Sequence, residues 1–364
     1  MLRFVGRLFF DQIINTLRIR RKPRVIQMPI TGRCNSRCVT CNVWKVKNNQ
    51  DINPEELTRI LAQPFFSKVS TIGINGGELT MIKDIEPIFD AVLSVKSLKN
   101  IHVISNGLIP EKLYSTLILL KSKANAKGVK VGLTLSIDGV GTVHDHTRGI
   151  PLAFQRSEKI LKHFQENLDK YCDSFNIGCT VSNTNVPYIR ETADYLKQYP
   201  FKVYYHLAVP NKRIHTFNDA DYYVMKDERS RLLALEFFQS LNAETSIRKS
   251  PIDKFRAFAN YYFLKTNGAS RLAQCYYRFR DVTIDENLDL SYCATASDTI
   301  GSLIGTSASS LIRSPKGKEV NKRILTECAS CVHYSDIPTI KGLFIFAYQI
   351  FKDRYMQGQQ YKRF

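Results

Sequence analysis

Apolar and polar residues are blocked out along this chain in a repeating order. Six short runs rich in Val, Ile, Leu, Tyr and Phe fall at 24–30, 68–74, 101–105, 129–137, 174–182 and 200–208, the length and composition of buried strands. Longer stretches near 53–63, 84–98, 109–125, 152–170 and 186–198 place apolar residues at helical spacing. Asn53-Pro54-Glu55-Glu56 reads as a helix start, with an Asn cap and Pro in the first turn. Strand followed by helix, repeated, predicts an α/β fold with a parallel sheet and right-handed crossovers.

Beyond residue 208 the rhythm changes. Residues 209–268 form a bridge expected to be helical at Ser230–Leu241 and Pro251–Leu264, where Phe237, Phe238, Tyr261, Tyr262 and Phe263 read as core. A hairpin is expected from a strand at 281–284, a turn at 285–287 and a second strand at 288–292. Both ends are basic and amphipathic. In residues 1–23, Leu2, Val5, Phe9, Ile13 and Leu17 share one helical side, with Arg3, Arg7, Asp11 and Asn15 opposite. In residues 336–364, Leu343, Phe344, Ala347, Ile350 and Phe351 lead into Lys352, Arg354, Lys362 and Arg363. Each end either packs on the main domain or lies against a membrane surface.

With 364 residues, 44% of them hydrophobic, the chain can bury one large core or a core plus a small domain. No apolar run is long enough to cross a bilayer, and no signal peptide with a cleavage site is apparent. The expectation is a cytoplasmic protein, in which thiols stay reduced and clustered cysteines mean metal. A net charge of +19 suits nucleic acid, an anionic membrane surface or an acidic partner. No RNA-binding motif is recognisable, so nucleic acid is not the expected partner.

The nine cysteines sharpen this picture. Cys34, Cys38 and Cys41 lie within eight residues, directly after the first apolar run. Thiolates that close can converge on one soft metal centre. Three ligands are one short of the usual four on a 4Fe–4S cluster, which leaves one iron open to a small molecule. A zinc ion would want a fourth ligand, and no further cysteine or histidine comes before residue 100. Cys275 and Cys293 bracket the expected hairpin, and Cys328 and Cys331 form a CxxC. Those four complete a site for either an iron–sulfur cluster or a zinc ion, which ligand identity alone does not separate. Cys172 and Cys179 stand apart and read as small buried residues.

Other motifs fall just past the expected strands. Asn75-Gly76-Gly77-Glu78-Leu79 follows the second, where paired glycines let backbone approach a ligand and a carboxylate accepts from an ammonium. Ser105-Asn106-Gly107 follows the third and reads equally as a tight turn. Leu135-Ser136-Ile137-Asp138-Gly139 follows the fourth, then His144-Asp145 and Arg148-Gly149. Thr180-Val181-Ser182-Asn183 follows the fifth, where Ser or Asn equally caps the next helix.

The spacing of Cys34, Cys38 and Cys41 resembles the CxxxCxxC signature of the radical S-adenosylmethionine (SAM) superfamily, and Gly76-Gly77-Glu78 resembles its GGE segment. The resemblance implies a partial (β/α)6 TIM barrel over 24–208, with its chemistry at the carboxyl ends of the strands. It implies a 4Fe–4S cluster whose open iron holds the amino and carboxylate groups of SAM. Gly76, Gly77 and Glu78 would then lie at the methionine amino group, Ser136 at the ribose or carboxylate, and Arg148 at the carboxylate. Asn106, Asp138 and Asn183 are expected in the same site, Asn183 at the adenine edge and Asp138 toward substrate. Many members carry an aromatic residue before the third cysteine; here Thr40 holds that place and Trp44 is the nearest large ring.

The layout of Cys275, Cys293, Cys328 and Cys331 resembles the twitch module, the shortened form of the SPASM domain, which would occupy 269–335 and hold an auxiliary 4Fe–4S cluster. The implied activity is cleavage of SAM to a 5′-deoxyadenosyl radical that takes hydrogen from a substrate carbon, with electrons from a donor such as flavodoxin or ferredoxin. A sugar, polyol or lipid-linked small molecule is the expected substrate, oxidised or rearranged. Maturation of a ribosomally made peptide is the alternative, although the stretch before residue 24 is short for a leader-binding domain. A non-catalytic iron–sulfur protein is a third reading, against which Gly76-Gly77-Glu78 counts.

Overall fold

A computed structural model of the chain describes residues 6, 10, 11, 13, 14, 17, 19–46, 50–216, 218, 220–243, 250–328, 331–333 and 337–361. The six expected strands form as β1 (Val25–Pro29), β2 (Thr71–Asn75), β3 (Asn100–Ser105), β4 (Lys130–Ser136), β5 (Ser174–Val181) and β6 (Lys202–Leu207). Between them run α1 (Pro54–Leu61), α2 (Glu86–Leu93), α3 (Pro110–Asn125), α4 (Thr142–Arg148), α5 (Ala153–Asn167) and α6 (Ile189–Leu196). The Asn53 carboxamide accepts from the Glu56 amide at 2.9 Å, the cap its sequence foretold. Helix α4 was not foreseen, because Thr-Val-His-Asp-His-Thr-Arg carries no apolar stripe. The bridge supplies α7 (Glu228–Ala243) and α8 (Pro251–Lys265).

β1 to β6 pair in chain order and in parallel. One face of this sheet is apolar: Ile26, Met28, Ile72, Ile74, Ile101, Val103, Val131, Leu133 and Ile177 pack in one core with Leu57, Phe89, Leu113, Leu117, Leu161 and Phe164 from the helices. The other, inner face is polar. Register sets Gln27, Gly73, His102 and Gly132 in one row, and Ser136, Gly178 and Tyr204 in a higher one. Thr180 and His206 pair one step nearer the carboxyl end. The branched aliphatic layers that plug a closed barrel are missing from these rows; polar side chains lie over the glycines instead, Gln27 on Gly73, His102 and Ser174 on Gly132, and Thr134 on Gly178.

The second cysteine region is built onto the same sheet. After β7 (Ala273–Gln274), the expected hairpin forms as β8 (Val282–Ile284) and β9 (Asp289–Ser291). β8 pairs in parallel with β1, Ile26 with Val282 and Gln27 with Thr283, and β10 (Thr299–Ser302) adds to β9. Two helices not foreseen, α9 (Ala308–Arg313) and α10 (Pro315–Glu327), lead to Cys328 at the carboxyl cap of α10. Then β11 (Ile337–Pro338) pairs with β7, and α11 (Ile340–Tyr361) follows.

Most of the amphipathic segment expected at 1–23 lies outside the described residues. Within it, Asp11 is buried rather than facing water, because it accepts from the Tyr276 hydroxyl at 2.7 Å and pairs with Arg21 at 3.2 Å. Phe10, Ile13, Leu17 and Ile19 are exposed, so of the two expectations for this end, packing on the main domain is not met at Ile13 and Leu17. On α11, Phe346 packs on Phe255 and Phe258, while Phe344, Tyr348 and Phe351 stand in solvent. The tail's Lys362 and Arg363 lie outside the described residues.

One buried ion pair joins the two halves of the sheet. Asp281 accepts from the amides of Arg24 (3.2 Å) and Val25 (3.0 Å) at the start of β1, and from Arg280 Nε and Nη2, both at 2.7 Å. Removing one partner of a buried pair leaves an uncompensated charge and costs about 3–5 kcal/mol. Asp281→Ala is therefore expected to lower unfolding stability by about that amount in urea titration, with Asp281→Asn losing less because its oxygen still accepts from the β1 amides.

Candidate functional site

The loop after β1 carries Cys34, Cys38 and Cys41 at the carboxyl end of the parallel strands, and the loops after β2 and β4 hold it from two sides. On the β2 side, Gly77 donates its amide to the Thr31 carbonyl at 2.7 Å and Glu78 to Arg33 at 2.8 Å. A Cβ on Gly77 would stand 2.0 Å from the Arg33 carbonyl oxygen, and Gly76 has a φ of 142°. The paired glycines thus let the two loops touch backbone to backbone. On the β4 side, Arg37 donates to the Arg148 carbonyl at 2.9 Å, Val39 to Thr147 at 3.0 Å, and the Ser36 hydroxyl to Arg148 at 3.0 Å. Gly149, with a φ of 65°, closes α4 where a Cβ would meet the Arg37 carbonyl at 2.4 Å.

The side chains around the thiols are buried and mutually engaged. Glu78 is buried, and burial holds its carboxyl above the usual range against four bonds. It accepts from the Asn106 amide and Ser105 hydroxyl, both at 2.8 Å, and from the amide and hydroxyl of Thr80 at 3.3 and 3.1 Å. The carboxylate expected to face an ammonium is thus turned into the fold. Asn106 donates to Asn35 at 2.9 Å and toward Cys34 Sγ at 3.8 Å. Arg148 is buried between Asp138, at 2.8 Å, and Cys38 Sγ, at 3.7 Å. Burial opposes its charge, but Asp138 and the thiols of Cys38 and Cys34 outweigh it and raise its pKa. Asp138, expected to reach substrate, spends its oxygens on Arg148 and on the Thr180 amide at 2.8 Å. Ser136 ends β4 on the inner face, and Asn183 is bonded to the Tyr222 carbonyl at 2.9 Å.

Two residues to which the sequence assigned no role hold this arrangement. Buried Asn185 donates to the carbonyls of Asp138 (2.7 Å) and Thr180 (2.8 Å) and accepts from the Ser182 amide at 2.8 Å. His144 Nδ1 accepts from the Asp138 amide at 3.0 Å. His144-Asp145 was visible as a polar pair, but nothing local in the sequence singles out Asn185. On the inner face, His102 bonds Thr134 at 2.8 Å and His206 bonds Thr180 at 3.0 Å. A cavity of about 400 Å³ beside β6 is lined by residues such as Tyr204, Phe238 and Arg256, and by none of the expected site residues.

The chemistry of the thiols tests whether they suit a metal centre. Burial pushes Cys34 up to about 12 and Cys41 up to about 11, with Cys38 raising both further. Cys34 and Cys41 thus keep their protons unless a cationic centre takes them. The bond to Cys34 sulfur from the Ser36 amide at 3.4 Å is of the type that tunes cluster thiolates, and Cys38 Sγ lies 3.0 Å from Ser36 Oγ. The second group behaves alike. Burial pushes Cys275 up to about 12 and raises Cys293 and Cys328, and among the next largest causes each is raised by others of the four. The fold therefore brings Cys275, Cys293, Cys328 and Cys331 within electrostatic reach of one another. Among the described residues no three Cys, His, Asp or Glu side chains converge as ligands of a single metal ion would. The fit of a cluster rests on the donor set.

Comparison with known proteins bears on the part of the chain that carries the first group. Residues 28–196 match the model of the Radical SAM superfamily. An AdoMet-dependent heme synthase of Methanosarcina barkeri is 31% identical over 184 residues, 48% of this chain and 48% of that protein. A GTP 3′,8-cyclase of Clostridium botulinum is 25% identical over 189 residues, 50% of this chain and 56% of that one. The chain thus spans about half the length of these curated relatives. Among solved structures, anSMEcpe with bound AdoMet superposes with a TM-score of 0.60 at 16% identity, covering 91% of this chain and 98% of its own. SuiB of Streptococcus suis bound to S-adenosylmethionine gives 0.58 at 15% identity, covering 88% and 74%. At such identities the likeness is one of fold. Residues 28–196, which carry the Cys34, Cys38 and Cys41 loop and both loops that clamp it, are thus the part of the chain that is similar to the radical SAM superfamily, and the heme synthase and the cyclase are enzymes similar to about half of it.

Proposed function

We propose that the chain is a radical SAM enzyme in which Cys34, Cys38 and Cys41 hold a 4Fe–4S cluster with one iron open to SAM. The observation that carries this reading is the thiol loop clamped at the carboxyl end of the barrel by the Gly77 and Gly149 contacts. When bound, cluster and SAM supply a 5′-deoxyadenosyl radical able to take hydrogen from an unactivated carbon. The protein's share is placement. Arg148 brings a buried cation beside the thiols, the Asn106 carboxamide and the Ser36 amide direct hydrogen bonds at Cys34 sulfur, and Gly76 and Gly77 keep the approach to the loop narrow. Ser136 and Asn183 stand at the strand ends where the family's SAM contacts are expected. Cys275, Cys293, Cys328 and Cys331 would hold an auxiliary 4Fe–4S cluster with no open iron, suited to electron transfer or to support of the fold.

For substrate, the inner face favours a neutral, hydrogen-bonding molecule such as a sugar or polyol. Gln27, His102, Thr134, Ser136, Thr180, Tyr204 and His206 offer donors and acceptors there. Peptide maturation is the second reading, favoured by the fold likeness to anSMEcpe, solved with AdoMet and a Cp18Cys peptide, and to SuiB, solved with the precursor peptide SuiA. The net charge of +19 suits an acidic electron donor such as flavodoxin or ferredoxin. The exposed Phe344, Tyr348 and Phe351 and the exposed Phe10, Ile13 and Leu17 support peripheral membrane contact, which would bring a lipid-linked substrate within reach.

Replacing Cys34, Cys38 or Cys41 with Ala is expected to abolish 5′-deoxyadenosine formation by anaerobically reconstituted, reduced protein. Undiminished SAM cleavage in the triple variant would sink the assignment. With Cys275, Cys293, Cys328 and Cys331 all changed to Ala, iron should fall from about eight to about four per chain, two clusters becoming one. One zinc beside only four irons in the wild-type protein would instead make the second site a structural zinc. Liposome flotation is expected to show salt-sensitive binding to anionic vesicles, each basic residue near the surface contributing roughly 1 kcal/mol. Equal flotation with neutral and anionic vesicles, or none with either, would count against membrane contact.

A further inference from the structure

Three guanidinium groups act on the four thiols of the second cysteine group. Arg271 is the most closely tied. Its Nε donates to the Ala273 carbonyl at 2.7 Å, two residues before Cys275, and its Nη1 donates to the carbonyl of Cys331. One side chain thus staples together the two chain segments that carry Cys275 and the Cys328–Cys331 pair. Burial opposes its charge, but the thiols of Cys275, Cys331 and Cys328 more than offset that and raise its pKa. Arg278, whose amide bonds the Cys275 carbonyl at 3.2 Å, acts on Cys328, and its Nε is buried with no partner among the described residues. Arg20 lies 4.2 Å above the Tyr292 ring and interacts with the adjacent Cys293.

The first cysteine group sits in a different field. Its two cations face carboxylates, Arg148 with Asp138 at 2.8 Å and Arg213 with Glu286 at 3.3 Å. Glu78 also stands among the charges acting on Cys34. A four-thiolate cluster is an anion in both oxidation states, and one-electron reduction adds a further negative charge. Fixed positive charge nearby favours the reduced form, the more so where burial keeps out water.

We infer that Arg271, supported by Arg278, raises the reduction potential of an auxiliary cluster held by Cys275, Cys293, Cys328 and Cys331, poising it to accept an electron. The inference rests on the reading of that site as an iron–sulfur centre. Arg271 is a positioning and charge-setting residue: it contacts the chain that bears the ligands and touches no substrate.

The test uses full-length protein carrying Cys34→Ala, Cys38→Ala and Cys41→Ala, so that only the auxiliary centre gives a signal. Its iron and zinc are measured first, then its midpoint potential by redox titration followed by electron paramagnetic resonance. Arg271→Gln is expected to lower the reduced-to-oxidised ratio at fixed potential about tenfold, which is 59 mV for one electron. Arg271→Lys, which keeps the charge, should recover most of that shift. An unchanged potential in a fully loaded Arg271→Gln protein would overturn the inference, as would an equal shift in Arg271→Lys. If Arg271→Gln fails to hold iron, Arg278→Gln leaves the staple intact and should still move the potential negative; no movement there would overturn it equally. Zinc in place of iron in the parent protein would defeat the auxiliary-cluster reading itself, an outcome distinct from an iron centre whose potential ignores the arginines.

Discussion

Arg148 is a buried cation, and the cysteine loop depends on how its charge is met. Taking a guanidinium out of water costs several kcal/mol unless an anion and further hydrogen bonds replace the solvent. Asp138 supplies the anion from the end of β4, and Cys38 lies on the other side. The same residue's carbonyl accepts from Arg37 and from Ser36, so the group that needs neutralising also fixes the loop that carries the thiols. Asp138 is in turn anchored through the Thr180 amide, and its backbone is held by Asn185 and His144. A loop of otherwise free cysteines thereby inherits the rigidity of two strands.

The two cysteine groups share that framework rather than sitting in separate bodies. β8 extends the barrel sheet from β1, so the strand that delivers Cys34 also carries the hairpin that ends near Cys293. A second tie runs through the segment after β6. Asn42, next to Cys41, bonds the carbonyls of Ile214 and His215 at 3.1 Å each, while the amides of Lys212 and Arg213 bond Thr295 and Ala294 at 2.8 and 3.3 Å. Displacing one thiol loop would strain the other through these bonds.

The polar inner face follows from the same sheet. In strands covered by helices, one set of alternating side chains meets the helices and must be apolar. The other set is released from that demand when the barrel is left open, and here it includes Gly, Thr, His, Ser, Gln and Tyr. Gly73, Gly132 and Gly178 make room on this face for the neighbouring Gln27, His102 and Thr134 side chains, which lie where a Cβ would stand.

What the sequence determined by itself is the set of features whose signals are local. Strand and helix order followed from apolar periodicity, the start of α1 from Asn53 and Pro54, the hairpin from its turn, and the two metal-like groups from cysteine spacing. Helix α4 escaped because its buried residues include His144, Thr147 and Arg148, which no apolar pattern reveals. Partnerships between distant segments were decided only by tertiary structure: Asp11 with Tyr276, Asp281 with the start of β1, Glu78 with Asn106, and Asp138 with Arg148. A charged or amide side chain carries no mark of its partner, because a site is chosen by whichever buried groups the folded sheet leaves unsatisfied. The same holds for Gly77, whose place in a GGE segment was legible, while the Arg33 carbonyl that forbids any larger residue there became visible only once the two loops were side by side.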